Sequence, residues 1–305
     1  MSITLYFAKL NLISGDVFDL YNDPKQKDNI SFALYEAVKS NTHWSKENIF
    51  FDDVGEPHST TIEYSIHILR ADETVTNIEG LLYKKSRLYY KTLDNATNTL
   101  VQNFTENTEG NRFTIDLNHG FVGYNTSARF GYKEFVEAFE NIINLAEENL
   151  EYDYRYRMSL CISGINLEQI KEELHNIGNI KELRIRMQPP NPSDQVLDSL
   201  QKRCDGIVRD LRDANVTEVD LFYSTKGRTG IDLKASLINE RIEDIQGLYS
   251  GLSVEESTQK GYVSVEATST TGRKYASGES KPIKRIIEDV GEFFDACIDA
   301  FLHLE

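Results

Sequence analysis

Residues 155–187 read RYRMSLCISGINLEQIKEELHNIGNIKELRIRM, and three predicted elements of the fold lie within this stretch. Its two ends, residues 155–162 and 180–187, alternate polar and apolar side chains, which is typical of half-buried β-strands. Between them, residues 167–177 repeat apolar side chains at helical spacing and stop at Gly178, which favours a short amphipathic helix. We therefore predict a strand–helix–strand segment of the split β-α-β kind known from ferredoxin-like folds.

The residues before this segment are predicted to form mostly strands. Residues 3–13 and 60–69 alternate polar and apolar side chains, and residues 112–124 read as a β-hairpin. Residues 130–150 form the clearest amphipathic helix here, because Phe, Ile and Leu recur at helical spacing. Residues 78–93 are rich in aromatic and β-branched side chains, so a strand and a helical crossover both remain open for them.

Proline and glycine divide the second half of the chain. Residues 188–194 hold three of the six prolines, which end the preceding strand and come before a predicted helix. Residues 218–224 and 231–237 read as a strand and its return strand across a glycine-containing turn, and residues 262–277 read as a hairpin. Pro282 is predicted to lie in the first turn of a closing helix.

These elements predict an α+β protein of two lobes. Residues 1–150 form a mixed, mostly antiparallel N-terminal lobe, and residues 151–305 form a C-terminal lobe of α/β character that contains the split β-α-β unit. The length of 305 residues suits two units of this size, each large enough for a buried core.

Composition limits the functions that are open to the chain. The formal charge is −16, with 13 Lys and Arg against 22 Asp and Glu in the first 150 residues and 20 against 27 in the rest. Proteins that coat nucleic acid are normally basic, so any contact with phosphates must be local. No apolar stretch is long enough to span a membrane, the first residues lack a signal-peptide pattern, and three widely spaced cysteines form no disulfide framework. We therefore expect a cytoplasmic protein.

Common catalytic motifs are absent from the sequence. There is no nucleophile elbow, no P-loop and no Gly-x-Gly-x-x-Gly dinucleotide motif. The six histidines are scattered, with no pair at helical spacing that would favour a metal or catalytic site. We therefore expect no metal and no cofactor, and a non-enzymatic function is favoured.

One constellation nevertheless has the composition of a catalytic site. Asp220 lies on a predicted strand, and Asp232 and Lys234 lie on its predicted return strand. Two carboxylates at this spacing suit Mg²⁺, and a lysine suits the attacking water, as in restriction-type nucleases. Such triplets also arise by chance in a chain rich in Asp, Glu and Lys. A Mg²⁺-dependent nuclease is therefore the alternative function.

The other candidate site is a set of cations in the turns of the C-terminal half. They are Lys226 and Arg228 in one turn, Arg273 and Lys274 in the next hairpin, and Lys281, Lys284 and Arg285 at the predicted start of the closing helix. Cations and backbone donors at a turn or a helix start are suited to binding phosphates without sequence preference. The alternative is that these turns are solvated and that their cations pair with neighbouring carboxylates.

Three stretches resemble the DNA-binding subunit of lambda-type Rex exclusion systems and related prophage and antiphage-defence proteins. They are GFVGYNTSARFG at residues 120–131, ELRIRMQPPNPSDQVLDSLQKR at residues 182–203 and YVSVEATSTTGRKYASGESKPIKRIIEDVGEFFDAC at residues 262–297. Together they cover roughly a quarter of the chain.

The resemblance implies a cytoplasmic homodimer that binds DNA without strong sequence preference. Such a protein would sense a phage replication or recombination intermediate and signal to a membrane or effector partner protein. Under this resemblance the DNA contacts would be Arg273, Lys274, Lys281 and Lys284. The chain is more acidic than such a DNA-binding protein is expected to be, so a protein-interaction module without nucleic-acid binding stays open as well.

Overall fold

The computed structural model describes residues 2–23, 25–51, 57–72, 76–94, 99–191, 207–249 and 252–304. These residues form an α+β protein, which confirms the predicted fold class. None of the described helices combines the length and the apolar character that a membrane crossing requires.

The described residues contain twelve strands and eight α-helices. The strands are β1 (Ile3–Leu12), β2 (His43–Phe51), β3 (Pro57–Ala71), β4 (Asn77–Asp94), β5 (Thr99–Asp116), β6 (Phe121–Asn125), β7 (Tyr156–Leu160), β8 (Ile180–Met187), β9 (Val219–Ser224), β10 (Val263–Ser269), β11 (Lys274–Ala276) and β12 (Lys284–Ile287). The helices are α1 (Asp16–Asn22), α2 (Gln26–Lys39), α3 (Tyr132–Asn149), α4 (Leu167–Asn176), α5 (Ile207–Asp213), α6 (Ser236–Glu243), α7 (Val254–Gln259) and α8 (Phe293–Leu304).

The strands form two antiparallel sheets. The larger sheet has the order β12-β1-β6-β5-β4-β3-β2, and β7 pairs with β1 on the same edge as β12. The smaller sheet has the order β11-β10-β8-β9. Two strands that follow residue 150 in the sequence, β7 and β12, therefore belong to the larger sheet.

Residues 155–187 have the predicted order of strand, helix and strand, but their two strands do not share a sheet. β7 pairs with β1 in the larger sheet, whereas β8 lies between β10 and β9 in the smaller one. The prediction of a split β-α-β unit is therefore wrong, because long-range partners decide the sheet to which each strand belongs. The α/β character of the C-terminal lobe is corrected too, since the described pairs of the smaller sheet are all antiparallel.

Two predicted elements of the second half also differ from the structure. The return strand at residues 231–237 is wrong, because α6 begins at Ser236 and the residues before it form turns. The closing helix begins at Phe293 and not at Pro282, and β12 and a short 3-10 helix at Val290–Glu292 lie between them. The helix predicted after the prolines falls largely on residues 192–206, which lie outside the described residues.

One hydrophobic core runs through both sheets and most of the helices. Helix α3 buries Phe135, Phe139, Ile142 and Ile143 completely, as its periodicity predicts, whereas Leu145 is half-buried. The buried residues of α4 and of strands β8 and β10 belong to the same cluster. A second, smaller cluster packs α8 on the other side of the larger sheet, where Phe7 contacts the ring of Phe301.

The β4–β5 hairpin extends beyond its neighbouring strands. β3 pairs with β4 only as far as Lys85, and β6 pairs with β5 only at residues 113–115. The outer part of the hairpin is therefore a two-stranded ribbon. Its exposed large apolar side chains are Tyr89, Tyr90, Leu93, Leu100, Val101 and Phe104. Residues 78–93, for which the sequence left two readings open, lie within this β-structure.

Candidate nucleic-acid interface

The smaller sheet directs alternate side chains toward the core and away from it. On β8 and β10, Leu183, Ile185, Val263 and Val265 are buried. The side chains between them point to the opposite side, which we call the outer face. Strand register arranges the outer face in three rows: Glu182, Ser224, Thr268 and Lys274; then Arg184, Phe222, Glu266 and Ala276; then Arg186, Asp220 and Ser264.

Two arginines on the outer face are held by carboxylates. Arg184 Nε lies 3.2 Å from Asp220 Oδ1, and Arg186 Nε lies 3.5 Å from Asp220 Oδ2. Arg186 Nη1 also lies 3.2 Å from Glu266 Oε1. Two guanidinium groups thus share two carboxylates, so the middle of the outer face is close to neutral.

Phe222 is an exposed aromatic side chain in the middle row. Its exposed fraction is 52%, although it lies on a regular strand. Arg184 is its cross-strand neighbour, and the guanidinium carbon lies 5.1 Å from the centroid of the ring. This is a cation–π distance, so the ring and the guanidinium group form one continuous surface.

Two loops meet at the end of the smaller sheet next to the first row. The loop after β9 is bound to the start of β8, because Ile231 N donates to Ile180 O at 2.7 Å. Gly230 has a φ of +80° there, and a Cβ at this position would lie 2.9 Å from Ile180 N. The β10–β11 turn reaches the same place, because Thr270 N donates to Asn179 O at 2.8 Å. We call this region, where both loops contact the start of β8, the basic end.

The basic end carries four of the cations that the sequence predicts as phosphate contacts. They are Lys226 and Arg228 on the loop after β9, Arg273 on the β10–β11 turn and Lys274 at the start of β11, and all four are exposed. Lys181 is a fifth cation, which the sequence reasoning did not single out, and its Nζ lies 3.2 Å from Glu182 Oε1. Tertiary structure thus brings together two cation pairs that are far apart in the sequence.

The cations of the basic end are largely unneutralised. Lys226, Arg228 and Lys274 form no ion pair within the part of the chain that the structure describes. Arg273 Nη1 donates to Asn176 O at 3.2 Å, at the C-terminal end of α4. Helix carbonyl groups carry a partial negative charge at this end, so α4 favours a cation there without neutralising it. The basic end is therefore suited to an external anion.

The other three predicted contacts lie elsewhere. Lys284 and Arg285 are on β12, at the edge of the larger sheet, and Lys281 precedes this strand. Arg285 Nη1 is paired with Asp299 Oδ2 at 2.5 Å. The predicted phosphate site at the start of the closing helix is corrected, because that helix begins only at Phe293.

The three nuclease candidates are not brought together. Asp220 lies in the third row of the outer face, opposite Arg186. Asp232 lies in the loop at the basic end, where its Oδ1 accepts a hydrogen bond from Lys234 N at 2.9 Å. That loop contacts the start of β8, six residues before Arg186, which is about 20 Å along a strand. Among the described residues, no group of three His, Cys, Asp or Glu is arranged to hold a metal ion.

A cleft of about 390 Å³ lies at the opposite end of the outer face, between the two sheets. Arg186 and Glu266 line one side, and residues of α3 and β7 line the other. Gly261, with a φ of +75°, lets the start of β10 approach β7, since a Cβ there would lie 2.2 Å from Ser159 Cβ. The volume is within the range of small-molecule sites.

The cations of the cleft are paired with carboxylates. Arg157 Nη2 lies 3.1 Å from Glu218 Oε2, and Arg157 Nε lies 3.7 Å from Glu140 Oε1. Burial raises the pKa of Glu140, although the Met158 N–H, which donates to Glu140 Oε2 at 2.7 Å, and Arg157 both act to lower it. The cleft therefore does not offer a free cation to a phosphate, in contrast to the basic end.

Sequence reasoning missed the outer face, although the signal for it was present. Residues 182–187 alternate Glu and Arg with Leu, Ile and Met, so Arg184 and Arg186 must point away from the core. Residues 219–224 alternate in the same way and place Phe222 outward. Only the register of β8 with β9 puts Phe222 directly beside Arg184.

Fold and surface together define an α+β protein with an exposed antiparallel sheet face beside a cluster of cations. Residues 44–289 match the family described as a domain of unknown function, DUF4747, and the chain belongs to this family. The matched range includes the whole outer face and the basic end. No match exists among the curated proteins.

Proposed function

We propose that the protein is a cytoplasmic, non-enzymatic sensor that binds nucleic acid, with DNA as the expected ligand, in bacterial antiphage defence. The observation that carries the proposal is the basic end, where cations from two separate chain segments lie at the same end of the smaller sheet. The resemblance to Rex DNA-binding subunits supports the defence role, a homodimer and a signalling partner protein, and these are parts of the same proposal.

Phosphate binding is favoured at the basic end for an electrostatic reason. Exposed cations that form no ion pair bind an anion without first separating from a carboxylate, as Lys226 and Lys274 illustrate. The rest of the molecule carries a large negative charge and repels a polyanion. Binding is therefore confined to a few phosphates and depends strongly on salt.

The test compares two double variants that remove the same charge from different surfaces. Lys226→Gln/Lys274→Gln changes the basic end, and Lys281→Gln/Lys284→Gln changes two exposed lysines next to or on β12. Binding of a fluorescent DNA oligonucleotide is measured by polarisation from about 50 to about 200 mM salt. We expect a steep loss of affinity in the wild type and in the β12 variant. The basic-end variant should bind more weakly, and the slope of log affinity against log salt concentration should decrease by the equivalent of about one to two phosphate contacts.

Two results would contradict the proposal. Equal weakening in both double variants would show that affinity follows net charge and not contacts at the basic end. Absence of wild-type binding at about 50 mM salt would remove nucleic-acid binding altogether. A protein-interaction module would then be the better reading, because the exposed apolar side chains of the β4–β5 ribbon are suited to a protein partner.

A further inference from the structure

We propose that the outer face is a stacking surface for unpaired nucleobases, so that the ligand class of this protein is single-stranded nucleic acid. The inference rests on the proposed function, since the cations of the basic end would hold the strand by its phosphates. A base would stack on the Phe222 ring and on the guanidinium group of Arg184, which are adjacent in the middle row.

The first argument is the exposure of Phe222. Most phenylalanines of the described residues are buried in one of the two hydrophobic clusters, whereas Phe222 is 52% exposed. An aromatic ring on an open sheet face is the feature on which single-strand-binding proteins stack bases, because every base has a π face. The position of Phe222 on a regular strand, and not on a loop, keeps its ring at a fixed height above the sheet.

The second argument is that the neighbouring guanidinium group is already oriented. Asp220 lies 3.2 Å from Arg184 Nε, and the guanidinium carbon lies 5.1 Å from the centre of the Phe222 ring. A planar cation that already has a carboxylate and a ring as neighbours loses less conformational entropy when a base stacks on it than a fully solvated one would. The stacking surface is thus present before the ligand arrives.

The third argument is the distance between the stacking surface and the basic end. Ser224 follows Phe222 on the same face, about 7 Å further along the strand, and the chain then enters the loop that carries Lys226. A strand whose phosphate contacts Lys226 therefore has its neighbouring bases within reach of Phe222. The nearly neutral middle row suits a base better than a phosphate.

The fourth argument excludes the duplex as the preferred ligand. Duplex DNA carries one negative charge per roughly 1.7 Å of its axis, a higher density than a single strand, and the formal charge of this chain is −16. Duplex bases are also stacked on each other, so Phe222 could reach one only after it has been unstacked at a cost in free energy. Both effects favour the single strand.

The experiment measures polarisation of one labelled oligonucleotide, alone and annealed to its complement, with four forms of the full chain. They are the wild type, Phe222→Ala, Phe222→Trp and Phe104→Ala. Phe104 is the matched control, because it is 50% exposed and has the Arg87 guanidinium carbon 4.5 Å from its ring centroid, but lies on the β4–β5 ribbon. Circular dichroism verifies that each variant is folded.

We expect the wild type to prefer the single strand and Phe222→Ala to weaken single-strand binding by about 5- to 100-fold. Phe222→Trp should retain single-strand affinity, and Phe104→Ala should match the wild type. Single-strand binding that is unchanged in Phe222→Ala, or equal weakening in Phe104→Ala, would overturn the inference. If Phe222→Ala leaves binding unchanged but Lys226→Gln/Lys274→Gln weakens it, the proposed function stands and the stacking surface does not. If the wild type binds neither oligonucleotide, the proposed function and the stacking surface are both wrong.

Discussion

Glu147 is a single residue whose environment conflicts with its charge. It lies on α3 with no exposed surface, and neither carboxylate oxygen has a hydrogen-bond partner among the described residues. The buried hydroxyl group of Tyr156 also has no hydrogen-bond partner among the described residues, and burial raises its pKa strongly. Burial raises the pKa of Glu147 from 4.5 to about 7, and the Arg155 guanidinium opposes this only in part. The folded protein therefore favours the neutral acid.

The free energy of unfolding should consequently fall as the pH rises from 4.5, the ordinary pKa of Glu147, to about 7, its pKa in the folded protein. Above pH 4.5 the unfolded chain releases the Glu147 proton while the folded protein retains it, so the unfolded state is stabilised relative to the folded state until about pH 7. Glu147→Gln removes this titration. Between pH 4.5 and pH 8 we expect the free energy of unfolding of the variant to rise by about 2 to 3 kcal/mol relative to that of the wild type. Urea unfolding across this range measures the difference. A constant difference between Glu147→Gln and wild type would contradict the assignment.

At the scale of elements, a buried carboxylate on β4 connects three strands and the last helix. Glu79 is 1% exposed, and its oxygens accept from Arg70 Nε at 2.7 Å and from Arg112 Nε. The two guanidinium groups then face α8: Arg70 lies 4.1 Å from the ring centroid of Phe294, and Arg112 lies 5.0 Å from that of Phe293. The orientation of α8 thus depends on Glu79 through two arginines.

Glu79→Gln should loosen α8 from the larger sheet. Removal of the charge leaves Arg112, of which a quarter is exposed, without its counter-ion, and we expect a loss of about 2 to 4 kcal/mol. Glu279→Gln breaks an exposed pair with Lys133 and should cost less than about 1 kcal/mol. Chemical denaturation gives both values, and hydrogen exchange should accelerate at residues 293–304 in the first variant alone. Similar costs for the two variants would count against the role of Glu79.

At the scale of the whole molecule, the two sheets share a core. Buried residues of both sheets and of helices α2, α3, α4 and α6 belong to one cluster, and β12 returns from the C-terminal end to pair with β1. The division into lobes at residue 150 stays a prediction. The shared core favours cooperative unfolding of both sheets.

We therefore expect a single unfolding transition. Trp44, the only tryptophan, lies on β2 and reports the larger sheet by fluorescence, whereas far-ultraviolet circular dichroism reports all elements. The two signals should give the same midpoint in a denaturant titration, because neither sheet can lose the common core alone. Two separate midpoints would show that the lobes unfold independently, as a two-domain chain would.

Periodicity by itself determined most element types, because it depends only on neighbours in the sequence. The alternation at residues 180–187 and the apolar face of residues 130–150 correspond to β8 and α3. Arg273 and Lys226 could also be identified as turn cations without coordinates, because glycine-containing turns and polar residues surround them.

Tertiary structure decided which of these elements meet. β7 and β8, separated by one helix, joined different sheets, while Ile3 paired with Ile287 across almost the whole chain. The same long-range pairing moved Lys284 from a predicted helix start to β12 and left the loop of Asp232 far from Asp220. The physical reason is that strand pairing and core burial lower the free energy through contacts between distant segments, and no local pattern encodes which segments these are.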